Sequence, residues 1–541
     1  MKDISSTGSF VDFTLENFIY VDKTEYIPKL LKLKRVFISR PRRFGKSLTL
    51  DTIATLFETG VEPYFKGTWI YDKWTEPTYP VLRLNFLNFD KNSLEKFNNK
   101  LNSKITEFAE LNHVTRYKEK EEAEDSIDHL LEQLRLEGRQ IVILIDEYDC
   151  QMTANINNET LYKQFQEKIK SFYANIKDKF AIKFLGITGV TRLKVVSIFS
   201  VGSDINDITN ASAYSQMIGF TRDEIKKYYI DYLKLASSYE NNCSVDDVTD
   251  TQLESMLDMM AQNYDGYCFD EDYEKKVFST WSVNKFFQTM IEKKKVQFGE
   301  YWYDNGGLPS ILVNYLKTHE LNIFEYLDKD KFLKVSSDDF KNPTALTTIN
   351  QNVLMCQTGY LTLRSDLNKT STVALGIPNG EIYKALNRLL ANNIFKGNTD
   401  ITDDYGRSLL EVGTVDDIIN LFNSALNSVS YDNYPIVTES SVQNMLKLYL
   451  LGAHQEVLSE VHEAKCRADL VVNTDNRRIV FEFKYAKNEA EAKSKLSEAV
   501  EQIKTRDYGN ILPKKNELIR IAAVFNADPK VRAFTENQIV P

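Results

Sequence analysis

The chain of 541 residues holds only five cysteines (Cys150, Cys243, Cys268, Cys356 and Cys466), none of them in a CxxC pair. An odd, dispersed set excludes a disulfide framework and a zinc ribbon, and predicts a reducing compartment. Proline (12) and glycine (21) are sparse, which excludes long flexible linkers. The five histidines form no pair at metal-ligand spacing, and no Ser-His-Asp or Cys-His arrangement stands out. No window approaches the roughly 18 apolar residues of a membrane span. The N-terminal MKDISSTGSFVDF has no charged-then-apolar leader. These absences predict an intracellular, cytoplasmic protein with no membrane partner, and leave secretion by a leaderless route open. There is no excess of positive charge either: the net charge is −10. That rules out a histone-like coat and leaves room for a local basic groove.

An apolar fraction of 43 % and a charged fraction of 27 % are ordinary for folded domains. At about 150 residues per domain, the length suggests three or four. Three zones separate by pattern. In 1–225, short apolar runs at 35–39, 80–86, 141–146 and 182–188 alternate with helical stretches such as 120–137. That alternation predicts crossover connections and a mostly parallel sheet. The zone from about 222 to 400 reads mainly as helices, around 223–237, 251–262, 282–294 and 308–318, and Thr221-Arg-Asp-Glu224 at its start has the form of a capping box. In 401–541, a helix at 439–452 precedes strands at 468–473 and 478–484. Asn473-Thr-Asp-Asn476 should join these as a hairpin, with a helix at 487–505 and a last strand near 518–525 to follow.

The sharpest N-terminal feature is Arg40-Pro-Arg-Arg-Phe-Gly45-Lys46-Ser47, placed between a strand and a helix. The phosphate-loop pattern is G-x-x-x-x-G-K-[ST], and Arg40 stands where its first Gly belongs. A strict match fails, and a basic surface turn is the competing reading. The rest of the chemistry is intact. Backbone N–H groups along the loop (Arg40, Arg42, Arg43, Phe44, Gly45) attract phosphate at a helix start. Lys46 offers a point charge to the β- and γ-phosphates, and Ser47 a hydroxyl ligand for Mg²⁺. Ile141-Val-Ile-Leu-Ile-Asp146-Glu147 matches the Walker B arrangement, with Asp146 for the metal and Glu147 for the attacking water. Thr188, at the end of the run 182–188, is placed to sense the γ-phosphate, and Arg192 to neutralise transition-state charge in cis or across a subunit contact. The strand at 80–86 implies that the phosphate-loop strand and the Walker B strand are not neighbours in the sheet.

In the third zone Asp469, Glu482 and Lys484 have the spacing D-x12-E-x-K. Side chains alternate along a strand, so Glu482 and Lys484 share one face and Phe483 takes the other. Two carboxylates converging there are hard oxygen ligands suited to Mg²⁺ or Mn²⁺, with Lys484 beside them to position water. The pattern by itself also fits an exposed ion pair on a hairpin. The segment 464–541 carries 15 basic against 11 acidic residues, a modest local excess in an acidic chain. The 31 Phe and 29 Tyr show no interleaved aromatic and basic stripe that would mark base stacking.

The residues RPRRFGKS, with Tyr20-Val-Asp-Lys-Thr24 upstream and LIDEYD at 144–149, resemble the AAA-ATPase-like proteins that carry a C-terminal PD-(D/E)xK nuclease domain. Gly219-Phe-Thr221, Tyr264-Asp-Gly-Tyr267, Asn305-Gly-Gly-Leu-Pro309 and Gln357-Thr-Gly-Tyr-Leu361 extend the resemblance over nearly the whole chain. In that family an Arg at the first loop position is ordinary. Cys268 and Gly307 are small departures.

The resemblance implies a multidomain α/β protein: a P-loop NTPase sheet with an added strand (1–225), a helical middle (226–400) and a restriction-endonuclease-like α/β domain (401–541). It also implies accessory nuclease residues. These are an upstream helix glutamate, matched by Glu460 in competition with Glu463, and a Gly-Arg-x-Asp-like stretch, here Cys466-Arg467-Ala-Asp469. A downstream Gln502 with Tyr508 completes them. The expectation is an ATP-hydrolysing protein with a Mg²⁺- or Mn²⁺-dependent nuclease acting on DNA ahead of RNA. The alternative is a nucleotide-regulated switch whose nuclease-like domain binds nucleic acid or protein without cutting. Oligomeric state stays open, a homo-oligomer included.

Overall fold

The structure is a computed structural model that describes residues 1–176, 179–192, 205–302, 310–316, 323–343, 345–395, 406–453, 456–463, 466–506 and 517–541, with backbone alone at 310, 316, 407, 456–463 and 466–467. Asn305–Pro309 and Tyr508, both singled out in the sequence, lie outside the described residues. The chain forms two compact units. One takes in Met1–Leu321 and Asp330–Ile382, the other Asn322–Lys329 and Tyr383–Pro541. Residues 225 and 226 both lie inside the first unit.

The first unit is built on strands β1 (Arg35–Ser39), β2 (Val81–Asn85), β3 (Ile141–Asp146), β4 (Ile182–Gly189) and β5 (Asn206–Asp207). They form one sheet in the order β2-β3-β4-β1-β5, with every pairing parallel. All six residues of β3 are buried, as a continuous apolar run covered by helices on both faces requires. The strand that separates β1 from β3 is β4, and β2 occupies the far edge. The segment 80–86 is therefore the outer strand, and Thr188 sits on the inserted one.

The expected helices are present in the described part of the middle region. The stretch 223–237 is two helices, Arg222–Tyr228 and Ile230–Asn241, followed by Asp250–Tyr264 and Thr280–Lys293. Thr221 opens the first with a reciprocal capping box: its hydroxyl accepts from Glu224 N at 3.2 Å, and Glu224 Oε2 accepts from Thr221 N at 2.8 Å. Tyr229, Leu233, Leu257, Met260, Phe286 and Phe287 bury the apolar stripes of these helices against one another. A small antiparallel sheet, β6 (Leu333–Ser336), β7 (Thr362–Leu363) and β8 (Thr372–Gly376), in the order β6-β8-β7, adds strands to a region expected to be mainly helical. Strands of two to five residues are too short to show a period in sequence.

The second unit holds a mixed sheet ordered β13-β12-β11-β10-β9, from β9 (Glu456–Glu463), β10 (Cys466–Asn473), β11 (Arg477–Ala486), β12 (Glu517–Asn526) and β13 (Ala533–Val540). Strands β10 and β11 are the expected hairpin, closed by Thr474 N donating to Arg477 O at 2.9 Å. Strands β11 and β12 run parallel, and helix Glu489–Arg506 makes the crossover between them. Two strands went unforeseen. One is β9; the other is β13, so 518–525 does not close the zone. Ala499, Val500 and Ile503 of the crossover helix pack on Val471, Val480 and Ala522. Phe481 and Phe483 stack on each other at 5.5 Å, and meet Phe422 and Phe534 respectively on the opposite face.

Two candidate active sites

In the first unit, β1 ends in the loop 40–45, and Gly45, at φ +102°, begins helix Lys46–Thr59. A left-handed residue is needed there to turn the strand into the helix, and Gly takes it without a Cβ penalty. The loop borders a cavity of about 350 Å³, lined by Arg42, Arg43, Phe44, Gly45, Lys46 and Ser47 together with Glu147. The lining also includes apolar and aromatic side chains, Phe13, Ile19, Tyr26, Met217, Phe220 and Trp281. Tyr20, Val21, Lys23 and Thr24, from the YVDKT segment, also line it.

Lys46 is buried. Its Nζ donates to Arg40 O and Pro41 O, each at 3.1 Å, and lies 3.6 Å from Glu147 Oε1. Asp146 accepts from Ser47 Oγ at 2.6 Å on one oxygen, and from Thr188 Oγ1 at 2.5 Å and Glu147 N at 3.0 Å on the other. Glu147 adopts φ +52°, which breaks β3 at this point. Burial pushes the Glu147 carboxyl up from its ordinary value, and the charges of Asp149 and Asp146 push the same way. Lys46 and Arg42 pull it down.

The other predicted residues sort by place. Phe44 is buried edge-on against Tyr267 (4.7 Å) and Phe269 (5.5 Å), so the YDGY segment props the loop. Gly359, from the QTGYL segment, packs so close to Pro41 that a Cβ there would lie 2.9 Å from the Pro41 ring. Arg43 lays its guanidinium 4.1 Å above the Trp281 ring, and its carbonyl accepts from Thr280 Oγ1. Arg40 is turned away from the cavity. Its Nη1 donates to Ser39 O and Thr209 O, it stacks 4.2 Å over Phe269, and burial lowers its pKa to about 9. It is a buried structural cation rather than a phosphate ligand. Arg192 is ion-paired with Asp207, and its N–H donates to Gln357 Oε1 at 3.2 Å. Thr188 spends its hydroxyl on Asp146.

In the second unit, the hairpin register places Leu470 opposite Phe481, which puts Asp469 and Glu482 at the next facing position. Asp469 Oδ2 accepts from Phe483 N at 2.8 Å. Glu482 is fully buried and Lys484 nearly so. Lys484 Nζ donates to Glu482 Oε1 at 2.7 Å, Phe483 O at 3.1 Å and Glu439 Oε1 at 3.3 Å. Burial would lower the Lys484 ammonium, but the Glu482 hydrogen bond and the charges of Glu482, Glu439 and Asp469 outweigh it and hold the pKa above its ordinary value.

Helix Glu439–Gly452 supplies two residues that the sequence reading missed. Glu439 reaches Lys484, and Gln443, one turn later, donates its Nε2 to Asp469 O. Glu460, expected on a helix, belongs to β9. Its neighbours Ser459 and Val461 pair with Leu470 and Ala468, so its backbone runs beside Asp469. The helix glutamate that meets the lysine is therefore Glu439. A Thr438 N-cap followed by an acid in the first turn was the available signal. Gln502 is half-buried on the crossover helix, next to Ile503, which packs toward the same sheet face.

The donor chemistry at both places fits a divalent cation. Ser47 Oγ and Asp146 Oδ2 are adjacent hard oxygens beside the cavity, and Asp469 and Glu482 are facing carboxylates. Among the described residues no group of three or more His, Cys, Asp or Glu forms a ligand cage. An ion here would rest on one or two carboxylates and be completed by substrate phosphate and water, as suits Mg²⁺. Among the described residues, no helix is long and apolar enough to cross a membrane.

Residues 5–199 match the family model described as predicted AAA-ATPase, and residues 437–535 match that of the PD-(D/E)XK nuclease superfamily. A protein of Azotobacter chroococcum mcd 1, described as an uncharacterized protein in the vnfD 5' region, is 26 % identical over 533 residues, covering 95 % of this chain and 94 % of that protein. Among solved structures, Cdc6p from Pyrobaculum aerophilum aligns with 12 % identity and a TM-score of 0.26, over 66 % of this chain and 90 % of that one. The ORC2 protein of Aeropyrum pernix aligns with 10 % identity and a TM-score of 0.24, over 67 % and 91 %. The chain thus joins an AAA-ATPase-like region at 5–199 to a PD-(D/E)XK nuclease-superfamily region at 437–535.

Proposed function

We propose that the protein binds and hydrolyses ATP in its first unit and cleaves nucleic-acid phosphodiester bonds in its second, with DNA ahead of RNA as substrate. Three functional parts divide this work: the ATPase part at 1–225, a helical middle at 226–400 and the nuclease part at 401–541. The observation that carries the reading is the hairpin cluster, in which Asp469, Glu482 and Lys484 meet and Lys484 is held by Glu482.

In the ATPase half, Lys46 exchanges its loop carbonyls for phosphate oxygens, while Ser47 and Asp146 hold Mg²⁺. Burial and the charges of Asp149 and Asp146 hold the Glu147 carboxyl above its ordinary value. That brings it nearer the range of a general base for water. Thr188 fixes the Asp146 carboxylate, which makes it a positioning residue.

In the nuclease half, Asp469 and Glu482 hold a divalent ion. When bound, the ion lowers the pKa of its water and polarises the phosphoryl oxygen. Lys484 orients the attacking water and offsets charge on the phosphate. Gln443 fixes the Asp469 backbone. Glu439 holds Lys484 toward the site.

The test is a cleavage panel of DNA and RNA, single- and double-stranded, with Mg²⁺ or Mn²⁺, with and without ATP. Metal-dependent cutting supports the reading. Salt-dependent binding without any cutting favours a non-cleaving switch instead.

A further inference from the structure

The phosphate loop and the end of β4 carry four arginines, and three are already engaged. Arg40 is locked onto Thr209 O and Phe269, Arg192 is paired with Asp207, and Arg43 is stacked on Trp281. Arg42 differs. Among the described residues it has no hydrogen-bond or ion-pair partner, it is half-buried, and it lines the cavity beside Lys46 and Glu147. Its charge is felt on both sides, since it lowers the Glu147 carboxyl and also the neighbouring Arg43 guanidinium. Four cations, Lys23, Arg42, Arg43 and Lys46, thus border one cavity whose lining contains a single carboxylate, Glu147. Like charges held together in a half-buried place are costly unless an anion joins them.

We propose that Arg42 supplies the positive charge that the transition state of ATP hydrolysis requires, from within the same chain, so that no arginine from a second copy is needed. The proposal rests on the ATPase reading above and assigns to Arg42 the role first given to Arg192. In the step, the water oxygen forms a bond to the γ-phosphorus, and the bond from that phosphorus to the β–γ bridging oxygen breaks. The electron pair of that bond stays on ADP, and the proton leaving the water goes to Glu147. Arg42 offsets the charge spreading over the γ-phosphoryl oxygens and the bridging oxygen.

The experiment measures ATP turnover, ADP affinity and trapping by ADP with aluminium fluoride. It uses the full chain as wild type, Arg42→Ala, Arg42→Gln, Arg192→Ala and Lys46→Ala. The expected result is a loss of about 100-fold or more in kcat for both Arg42 variants. Their aluminium fluoride trapping should be lost, with ADP affinity within about threefold of wild type as the sign that they fold. Arg192→Ala should stay within about threefold in kcat, and wild-type kcat should not change over a hundredfold range of protein concentration. If wild type turns over ATP and both Arg42 variants keep that rate, the assignment of Arg42 falls alone. It also falls if kcat climbs with concentration and mixing Arg42→Ala with Lys46→Ala restores turnover. If wild type turns over no faster than Lys46→Ala, the ATPase reading falls with it.

Discussion

Glu482 Oε1 lies 2.7 Å from Lys484 Nζ, and the two residues are two positions apart on one face of β11. Neither is exposed, so their ion pair is made where water does not screen it. A buried pair of this kind stabilises little by itself, but losing one partner leaves an uncompensated charge.

Replacing Lys484 by Met should therefore cost about 3–5 kcal/mol, because buried Glu482 loses the cation it is paired with. The double variant Lys484→Met with Glu482→Gln should recover most of that loss, since neither group is then charged. Thermal or urea unfolding of both variants measures this. The wild-type advantage has a defined pH window. The Lys484 pKa is raised in the folded protein, so its contribution is complete below the unfolded value of about 10.4 and is lost as pH rises through the folded one.

Glu147→Gln should have opposite effects on activity and stability. The folded environment raises the Glu147 carboxyl, so its ionised form destabilises the nucleotide-free protein above the unfolded pKa of about 4.3. The Gln variant should melt at or above the wild-type temperature at pH 7, and the difference should close toward pH 4, where the carboxyl is protonated in both states. ATP turnover should fall about 100-fold or more while ATP binding persists. Unfolding at the two pH values, with turnover assayed in parallel, checks both halves.

Gln443→Met keeps the length of the side chain and removes the donor to Asp469 O. Losing this hydrogen bond costs about 0.5–1.5 kcal/mol, and a loosened Asp469 should weaken Mn²⁺ binding by about tenfold. Glu439→Gln should leave Mn²⁺ affinity nearly unchanged and lower the Lys484 pKa, because it removes a charge that raises it. Calorimetric Mn²⁺ titration separates the two variants.

Both sites share one chain, and nucleotide control of cutting follows as a prediction. Lys46→Ala should abolish any ATP dependence of nucleolysis while leaving the rate without ATP unchanged. If ATP alters cutting equally in wild type and variant, the control does not run through Lys46. Rates with and without ATP, for wild type and Lys46→Ala, decide it.

The sequence made the phosphate loop and the hairpin legible for a physical reason. Lys46, Ser47, Asp146 and Glu147 act at fixed spacing on short segments. The alternation across Glu482, Phe483 and Lys484 is a local rule. The fates of the arginines were not legible. Arg40 and Arg192 resemble Arg42 in composition and neighbourhood, and only the folded chain brings Thr209 to one and Asp207 to the other. Glu439 was hidden for a similar reason. It stands 45 residues before Lys484, and proximity in sequence favoured Glu460 instead, which proved to lie on a strand. The YVDKT, YDGY and QTGYL segments carried a family likeness with no visible chemistry. Their contacts with the cavity and with Phe44 and Pro41 supply the physical cause.

The most direct test of the central claim is the Mn²⁺-dependent cleavage rate of the best substrate, compared between wild type and the Glu482→Gln, Lys484→Met double variant, which is expected to stay folded. Wild type should cut and stop on addition of a chelator, and the double variant should lose about 1,000-fold or more in rate while unfolding at nearly the wild-type temperature. A folded double variant that cuts at the wild-type rate would contradict the account.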